Sequence, residues 1–431
     1  MRATPFSTLS IRGAVVLSTL AAATTATGQE ILLDANAPTE EAEPAVFWAP
    51  YAFASETYDV ALGFGAVATG YLQDQLSFFG NVIVSTNETA EVQLGLWGAH
   101  FPRSDRLFAD GWLSLGRYTQ LRAYVGNDDA GNRSGANGSD RDNFIQDAAF
   151  QIWSEWRLSW ILPIGKGRDA PIQTYRLHHG ILDSAPTGGD VWNPLKTGRT
   201  ALRLRPFYRR QEFDLAPSEG QIASNGLALS LEYDNRDFPR NPTYGSRQIL
   251  SVFRDFGAFD STNSWTSIEA EASKFFDLGT TDWSRQQVLA LGVWTAGSPS
   301  WEDTEFGPTN APPYFYGATL GGRRRLRAFP TNRFNDRAGI HYWVEYRMVP
   351  GWQPLPEVEE LDVARIDWWQ VAVFAELGRV APQWSIEEFH RDMQWDVGLS
   401  LRLMARKAIA RIDLAAGPEG VALWLDLGHP F

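Results

Sequence analysis

A transmembrane antiparallel β-barrel of 16 strands is the fold this sequence predicts, and three features of the 431-residue chain predict it. The N-terminus reads as a secretory leader. Later segments alternate strictly between apolar and polar residues. The chain ends on Phe431 after a run of alternating apolar positions.

In the leader, Arg2 and Arg12 precede an apolar run from Ala14 to Ala23, and Ala26 and Gly28 place a small-residue cleavage site before Gln29. That is the charged, hydrophobic and small-residue plan of export. The run is too short for a helical span of roughly 20 residues. The expected organisation is a signal peptide over 1–28, a short periplasmic segment over 29–57 and a barrel over 58–431. The formal charge is −13, and losing the two leader arginines takes it to −15. An acidic surface argues against nucleic acid or anionic lipid as a general partner. The absence of cysteine excludes disulfides and thiolate chemistry. The 18 tryptophans suit the aromatic girdles of a membrane barrel.

Alternation carries the strand assignments, because successive strand side chains point to opposite faces. Over 340–348, Ile340, Tyr342, Val344, Tyr346 and Met348 are apolar, whereas His341, Glu345 and Arg347 take the other face with Trp343. Over 393–403, Met393, Trp395, Val397, Leu399, Leu401 and Leu403 oppose Gln394, Asp396, Ser400 and Arg402, and on a later strand Arg411 and Asp413 alternate inward. In a membrane barrel the apolar face meets lipid and the polar face lines the lumen. The last strand runs Val421, Leu423, Leu425, Leu427, His429, Phe431. Seventeen segments qualify as strands. Residues 59–70 are the first, 107–115 and 120–125 count separately, and 172–182 counts as one. A single-chain bacterial barrel needs an even number, hence sixteen. Residues 126–141, dense in Gly, Asn, Asp and Ser, read as a mobile loop.

Four motifs follow one another in the C-terminal half. They are Tyr233-Asp234-Asn235-Arg236-Asp237 with Asn241-Pro242-Thr243-Tyr244-Gly245; Leu320-Gly321-Gly322 with Leu326-Arg327-Ala328-Phe329; Phe374-Ala375-Glu376-Leu377-Gly378; and Gly417-Pro418-Glu419-Gly420. In order and spacing, over about residues 226–431, they resemble the BamA/TamA-like outer-membrane superfamily. The chain looks like a barrel-only branch of it, because the roughly 30 residues before the first expected strand leave no room for the periplasmic POTRA repeats. Two positions depart from the family pattern. Ala328 stands where the family has glycine, which puts in doubt a backbone conformation that glycine reaches easily. Glu376 stands where it has aspartate.

The resemblance implies residence in the bacterial outer membrane and a long loop, 297–338, folded into the lumen. Its Arg327 would pair there with Glu345 and Glu376 as a clamp, and Gly321, Gly322, Leu326 and Phe329 would shape the loop tip. A guanidinium holds carboxylates through paired hydrogen bonds. Asp234, Arg236, Asp237, Pro242 and Gly245 would form the strand-turn signature. Leu423, Leu425, Leu427 and Phe431 would form the signal that the barrel assembly machinery reads. Arg323, Arg324 and Arg325 have an alternative use as a lipopolysaccharide site at the outer rim.

No P-loop, dinucleotide fingerprint or Gly-x-Ser-x-Gly appears. His178-His179 is a lone pair without metal-ligand spacing to acids. No enzyme, cofactor or metal is expected. The implied partners are outer-membrane lipids, lipopolysaccharide and, during biogenesis, the assembly machinery. The implied function is help with protein insertion or translocation, and a channel or structural envelope barrel is the competing expectation. Phe431→Ala is expected to slow membrane insertion in cells while leaving refolding in detergent nearly intact. A pulse-chase of heat-modifiable protein reads this, and unchanged kinetics would show that the terminal pattern is coincidental.

Overall fold

The computed structural model describes residues 44–55, 57–126, 133–173, 175–214, 220–305, 307–352, 366–405, 408–427 and 429–430. The expected leader, residues 29–43 of the expected periplasmic segment, residues 127–132 of the expected mobile loop and Phe431 lie outside the described residues. The barrel strands are β1 (Ala45–Ser55), β2 (Asp59–Thr69), β3 (Ser77–Ser85), β4 (Ala90–His100), β5 (Leu107–Ala123), β6 (Ile145–Ile161), β7 (Arg199–Phe213) and β8 (Gln221–Asp234). They continue as β9 (Gly245–Phe256), β10 (Ser264–Thr281), β11 (Ser284–Gly297), β12 (Ala338–Pro350), β13 (Ile366–Ala381), β14 (Gln394–Ala405), β15 (Ala408–Gly417) and β16 (Gly420–Leu427). Every strand is antiparallel to its neighbour, in chain order from β1 to β16. Among the described residues no ladder joins β1 to β16.

Alternation decides which way each side chain points. Leu62, Phe64, Val82, Leu94, Leu229, Leu250, Val373, Leu399 and Leu423 are exposed on the outer wall, while Asp110, Arg157, Glu232, Arg247, Glu345 and Arg402 are buried inside. An exposed apolar belt over a charged interior is what a lipid solvent requires. Internal ion pairs line the wall. Arg157 meets Asp110 at 3.0 Å, and Arg203 and Arg247 share Glu232.

The total of sixteen strands matches expectation, but three assignments within it change. β1 lies upstream of the expected start at residue 58. Its Pro50 argues against a central strand, and the position tolerates it because β1 is an edge of the described sheet. Segments 107–115 and 120–125 form the single strand β5. A register shift between Tyr118 and Leu121 displaces the alternation there. Segment 172–182 is no barrel strand. Only Leu177–His178 and Ile181–Leu182 pair, as a tight hairpin turning through His179 and Gly180 at positive φ.

That hairpin belongs to residues 162–198, the connection between β6 and β7. β1 starts and β16 finishes at the same barrel end as this connection, and the longest connection, residues 298–337, lies at the other end, as the long extracellular loops of outer-membrane barrels do. The connection crosses the mouth. Ile172 packs on the inward residues Phe108, Ile161 and Ala201 of β5–β7. Leu177 and Ile181 then pack on Val349, Trp368, Met404 and Ile409, the inward residues at the mouth end of β12–β15. The Trp368 indole donates to the Gly180 carbonyl at 2.9 Å. A Cβ on Gly180 would fall 2.7 Å from Trp368, at a φ of +70°. Gly180→Val is therefore expected to expel the hairpin. Trypsin cleavage at Arg176 should rise several-fold in detergent-solubilised protein whose heat-modifiable mobility is unchanged. Unaltered cleavage would show that this contact does not hold the hairpin.

Candidate functional site

The connection between β11 and β12, residues 298–337, folds into the lumen from the opposite end. Its two legs pair as a short ribbon, Ala318–Leu320 with Phe334–Asp336. Beyond the ribbon the chain must reverse tightly, and Gly321 and Gly322 at φ +102° and +103° allow it. A Cβ on Gly321 would sit 2.2 Å from the Pro330 carbonyl oxygen, so only glycine fits. Gly321 N donates to Arg325 O, and Gly322 N to Phe329 O. Leu326 takes the left-handed conformation at φ +53°, whereas Ala328 does not. The alanine that replaces the family's glycine is thus unstrained. Leu320, Leu326, Phe329 and Phe334 form one buried cluster with Trp294, Phe374 and Val380 of the wall.

This apolar seat delivers Arg327 to the charged wall. Arg327 is fully buried. Its Nε lies 3.3 Å from Glu376 Oε2, and its Nη1 lies 3.1 Å from Asp413 Oδ2 and 3.7 Å from Glu345 Oε2. The guanidinium stacks 3.3 Å from the Phe374 ring centroid. The backbone joins in. Arg327 N donates to Glu376 Oε2 at 2.8 Å, Ala328 N donates to Asp396 Oδ2 at 2.8 Å, and the Trp424 indole donates to Arg327 O at 2.6 Å. The tip is thereby tied to all five strands from β12 to β16. Burial alone would lower the Arg327 pKa, but Glu376, Asp413 and Glu345 raise it instead, so the guanidinium stays charged.

The carboxylates have further partners. Glu345 also takes Arg347 and, at 2.6 Å, Arg402. Asp413 also meets Arg411, which reaches Asp426. His341 lies 3.5 Å from Glu376. The sequence named Arg327, Glu345 and Glu376, and the fold brings all three together. It missed Asp413 and Asp396 as partners of the loop. Alternation had put both on a polar face, but which inward charge meets the loop depends on how the sheet curves.

Of the other loop arginines, Arg325 does not lie at the outer rim. Arg325 enters the lumen, 3.4 Å from Glu271 and 3.8 Å over the Trp294 ring, and the Arg323 carbonyl accepts from Arg411. Across the lumen, the loop's Tyr314 hydroxyl donates to Gln211 at 2.8 Å, and Tyr316 packs on Phe207 and Trp265. Residues 133–141, read as mobile, are instead bonded in. Arg133 donates to Asn335 and pairs with Asp336, and Arg333 donates to Ser139 and pairs with Glu419. The polar composition marks hydrogen bonding here rather than looseness.

The strand-turn residues sit at the other end of the barrel. Arg236 pairs with Asp234 at 2.7 Å. Asp237 accepts from Thr243 N at 2.9 Å and from Thr243 Oγ1 at 2.6 Å. Burial raises the Asp237 pKa against the pull of these donors. Pro242 is buried, and Gly245 at φ +96° passes so close to Asn235 that a Cβ would stand 2.1 Å from its carbonyl. The free side of the turn binds the mouth segment. Gly188 N donates to Arg236 O at 2.9 Å, and Thr187 N to Asp237 O at 3.0 Å. On β16, Leu423 and Val421 face lipid, and Leu425 shares their side of the strand. Leu427 ends the strand.

These features define a class: integral membrane β-barrels whose lumen holds an arginine-tipped loop from the wall. The Omp85 superfamily domain matches residues 203–418, just over half the chain, and the chain belongs to that superfamily. It is an integral β-barrel of the bacterial outer membrane. Among solved structures it is similar to BamA from Haemophilus ducreyi lacking POTRA domains 1–3, at 11% identity and a TM-score of 0.44, covering 90% of this chain and 70% of that one. It is also similar to CdiB from Acinetobacter baumannii, at 10% identity and a TM-score of 0.47, covering 90% of this chain and 60% of that one. A comparison with proteins of curated function finds no match.

Breaking a buried pair by removing one partner costs roughly 3–5 kcal/mol. Arg327→Ala is therefore expected to lower barrel stability by about that amount, and Glu376→Gln by less, since an amide oxygen can still accept from Arg327 N. The double variant should fall short of the sum by about 0.5–3 kcal/mol. Urea unfolding in phospholipid micelles measures the cycle, and strict additivity would show that the two side chains do not act together.

Proposed function

We propose that this barrel assists insertion of polypeptides into the outer membrane at the seam between β1 and β16. The observation that carries the reading is the unpaired edge on each of these strands in the described sheet. A strand edge exposes a row of backbone donors and acceptors that another strand can take up. The crossed lumen supports the same reading. The inward loop crosses it at one level and the mouth segment at another, which leaves the wall rather than the bore as the place to act. The clamp at Arg327 would stiffen β12–β16, giving the β16 edge a fixed backing.

The competing reading, a channel or structural envelope barrel, requires either a conduction path past Arg327 and Trp368 or no client at all. Biogenesis of the barrel itself would use the assembly machinery, with Leu423, Leu425, Leu427 and Phe431 as the recognised strand. Lipopolysaccharide would contact the outer leaflet side of the apolar belt.

A photo-crosslinking amino acid at Trp48 on β1 and at Leu423 on β16 tests the proposal. Adducts with an unfinished outer-membrane barrel are expected at both positions, together with an absence of sustained conductance steps in a planar bilayer. A cysteine pair bridging β1 and β16 should abolish the adducts while the barrel keeps its heat-modifiable mobility. The chain has no native cysteine to interfere. Stable ion-selective steps without adducts would overturn the proposal in favour of a channel.

A further inference from the structure

After crossing the mouth, the β6–β7 connection leaves the lumen and lies against the outer wall. Tyr233 of β8 points outward, because its neighbour Glu232 points inward to Arg203 and Arg247. Leu231, on the same face, is exposed to lipid, yet Tyr233 is buried. Residues 190–197 cover it. The Tyr233 hydroxyl accepts from Asn193 N at 3.3 Å and bonds Thr197 Oγ1 at 3.0 Å. The Trp192 ring stands edge-on to Tyr233 at 5.7 Å, and its indole donates to Gln248 on the outward face of β9 at 3.0 Å. Asn193 closes a compact turn by accepting from Lys196 N and Thr197 N, both at 2.9 Å. Gly198 returns the chain to β7 past Asp234, where a Cβ would fall 2.5 Å from a carbonyl oxygen.

This strap is well fastened on its inner side and bare on its outer side. Val191, Trp192 and Leu195 are 65%, 63% and 64% exposed. Three large apolar side chains on an eight-residue stretch of backbone turn are costly in water. They lie on the strap that covers the outward face of β8 and β9, at the periplasmic rim, beside Lys196. Adjoining them, a groove of about 350 Å³ runs over the outer wall, lined by Leu231, Tyr233, Gln248, Leu250, Ala270 and Ala272. Its depth comes from the two alanines of β10, which lie between larger neighbours on β9 and β11.

We propose that residues 190–197 form an interfacial anchor that binds a phospholipid of the periplasmic leaflet. One acyl chain lies in the Ala270–Ala272 groove. Val191 and Leu195 sit among the upper acyl segments, Trp192 lies at the boundary between tails and headgroups, and Lys196 meets the phosphate. The continuity of the patch with the lipid-facing wall selects a lipid occupant over a soluble protein. Tryptophan beside lysine is the pairing that fits a membrane interface. The same segment crosses the mouth, so the anchor also gives the mouth hairpin a fixed point outside the barrel. This inference does not rest on the insertion reading.

The natural absence of cysteine makes the test clean. An environment-sensitive fluorophore on Val191→Cys, and separately on Leu195→Cys, is reconstituted in vesicles of phosphatidylethanolamine and phosphatidylglycerol. Emission is expected to fall at least two-fold with acyl-brominated phospholipid and to be unaffected by aqueous iodide. In parallel, mass spectrometry of the detergent-exchanged protein is expected to find one retained phospholipid per barrel, lost in Ala272→Trp, which fills the groove. Iodide quenching without bromolipid quenching at both positions would overturn the anchor. Retention that is absent in the native chain, or unaltered by Ala272→Trp, would overturn the groove as the seat of the lipid.

Discussion

A guanidinium held out of water has to be neutralised where it stands, and much of this barrel is organised around that demand at Arg327. Uncompensated, such a burial would cost several kcal/mol. Here Glu376 and Asp413 lie within 3.3 Å, Glu345 within 3.7 Å, and the Phe374 ring face covers one side. These contacts fix more than one loop. Glu345, Glu376, Asp396 and Asp413 lie on four successive strands, so meeting one loop tip sets the mutual register of β12–β15. A slip by one residue would turn the carboxylate of that strand into lipid and an apolar side chain into the lumen.

The lumen is divided rather than empty. The inward loop reaches from the β12–β16 wall to Gln211, Phe207 and Trp265 on the opposite side, and Arg325 ties its flank to Glu271. Below it the mouth segment spans β5–β7 to β12–β15. Each crossing piece ends on an apolar seat at the wall. That arrangement lets the backbone of the two crossing pieces, which is neither helix nor sheet, exist at membrane depth, since inside the lumen it is enclosed by the wall.

Strand existence and the facing of side chains were legible wherever the period of two ran unbroken, as in β12 and β14. The legible part failed at three physical irregularities. β1 carries Pro50, which argues against a central strand and is tolerated at the edge where β1 lies. The bulge between Tyr118 and Leu121 split β5. The hydrophobic residues of 172–182 pack as a hairpin plug, and their pattern does not distinguish a lipid-facing strand from that. One strand lost, one read twice and one surplus left the total at sixteen, so agreement of the count hid disagreement in the parts. Of the inward cluster, Arg327, Glu345 and Glu376 were legible through a motif. Asp396 and Asp413 were legible only as polar-face residues. Which of them meets Ala328 N or Arg327 Nη1 depends on contacts that span 68 and 86 residues, beyond the reach of any local pattern.

The mouth hairpin has a consequence for the order of assembly. Gly180 and Trp368 are 188 residues apart in the chain, and Arg133 meets Asn335 across 202. Loops of that size close late, because their entropy is lost before the contacts that repay it exist. The N-terminal strands therefore cannot bring their own connections to rest. Residues 162–198 must wait for β13, and residues 133–141 must wait for the descending leg of the inward loop. A barrel laid down strand by strand from the N-terminus thus stays unlatched at both ends until its last third arrives. The final strands then lock the two ends together, so folding is settled for the whole chain by a late event rather than accumulated strand by strand.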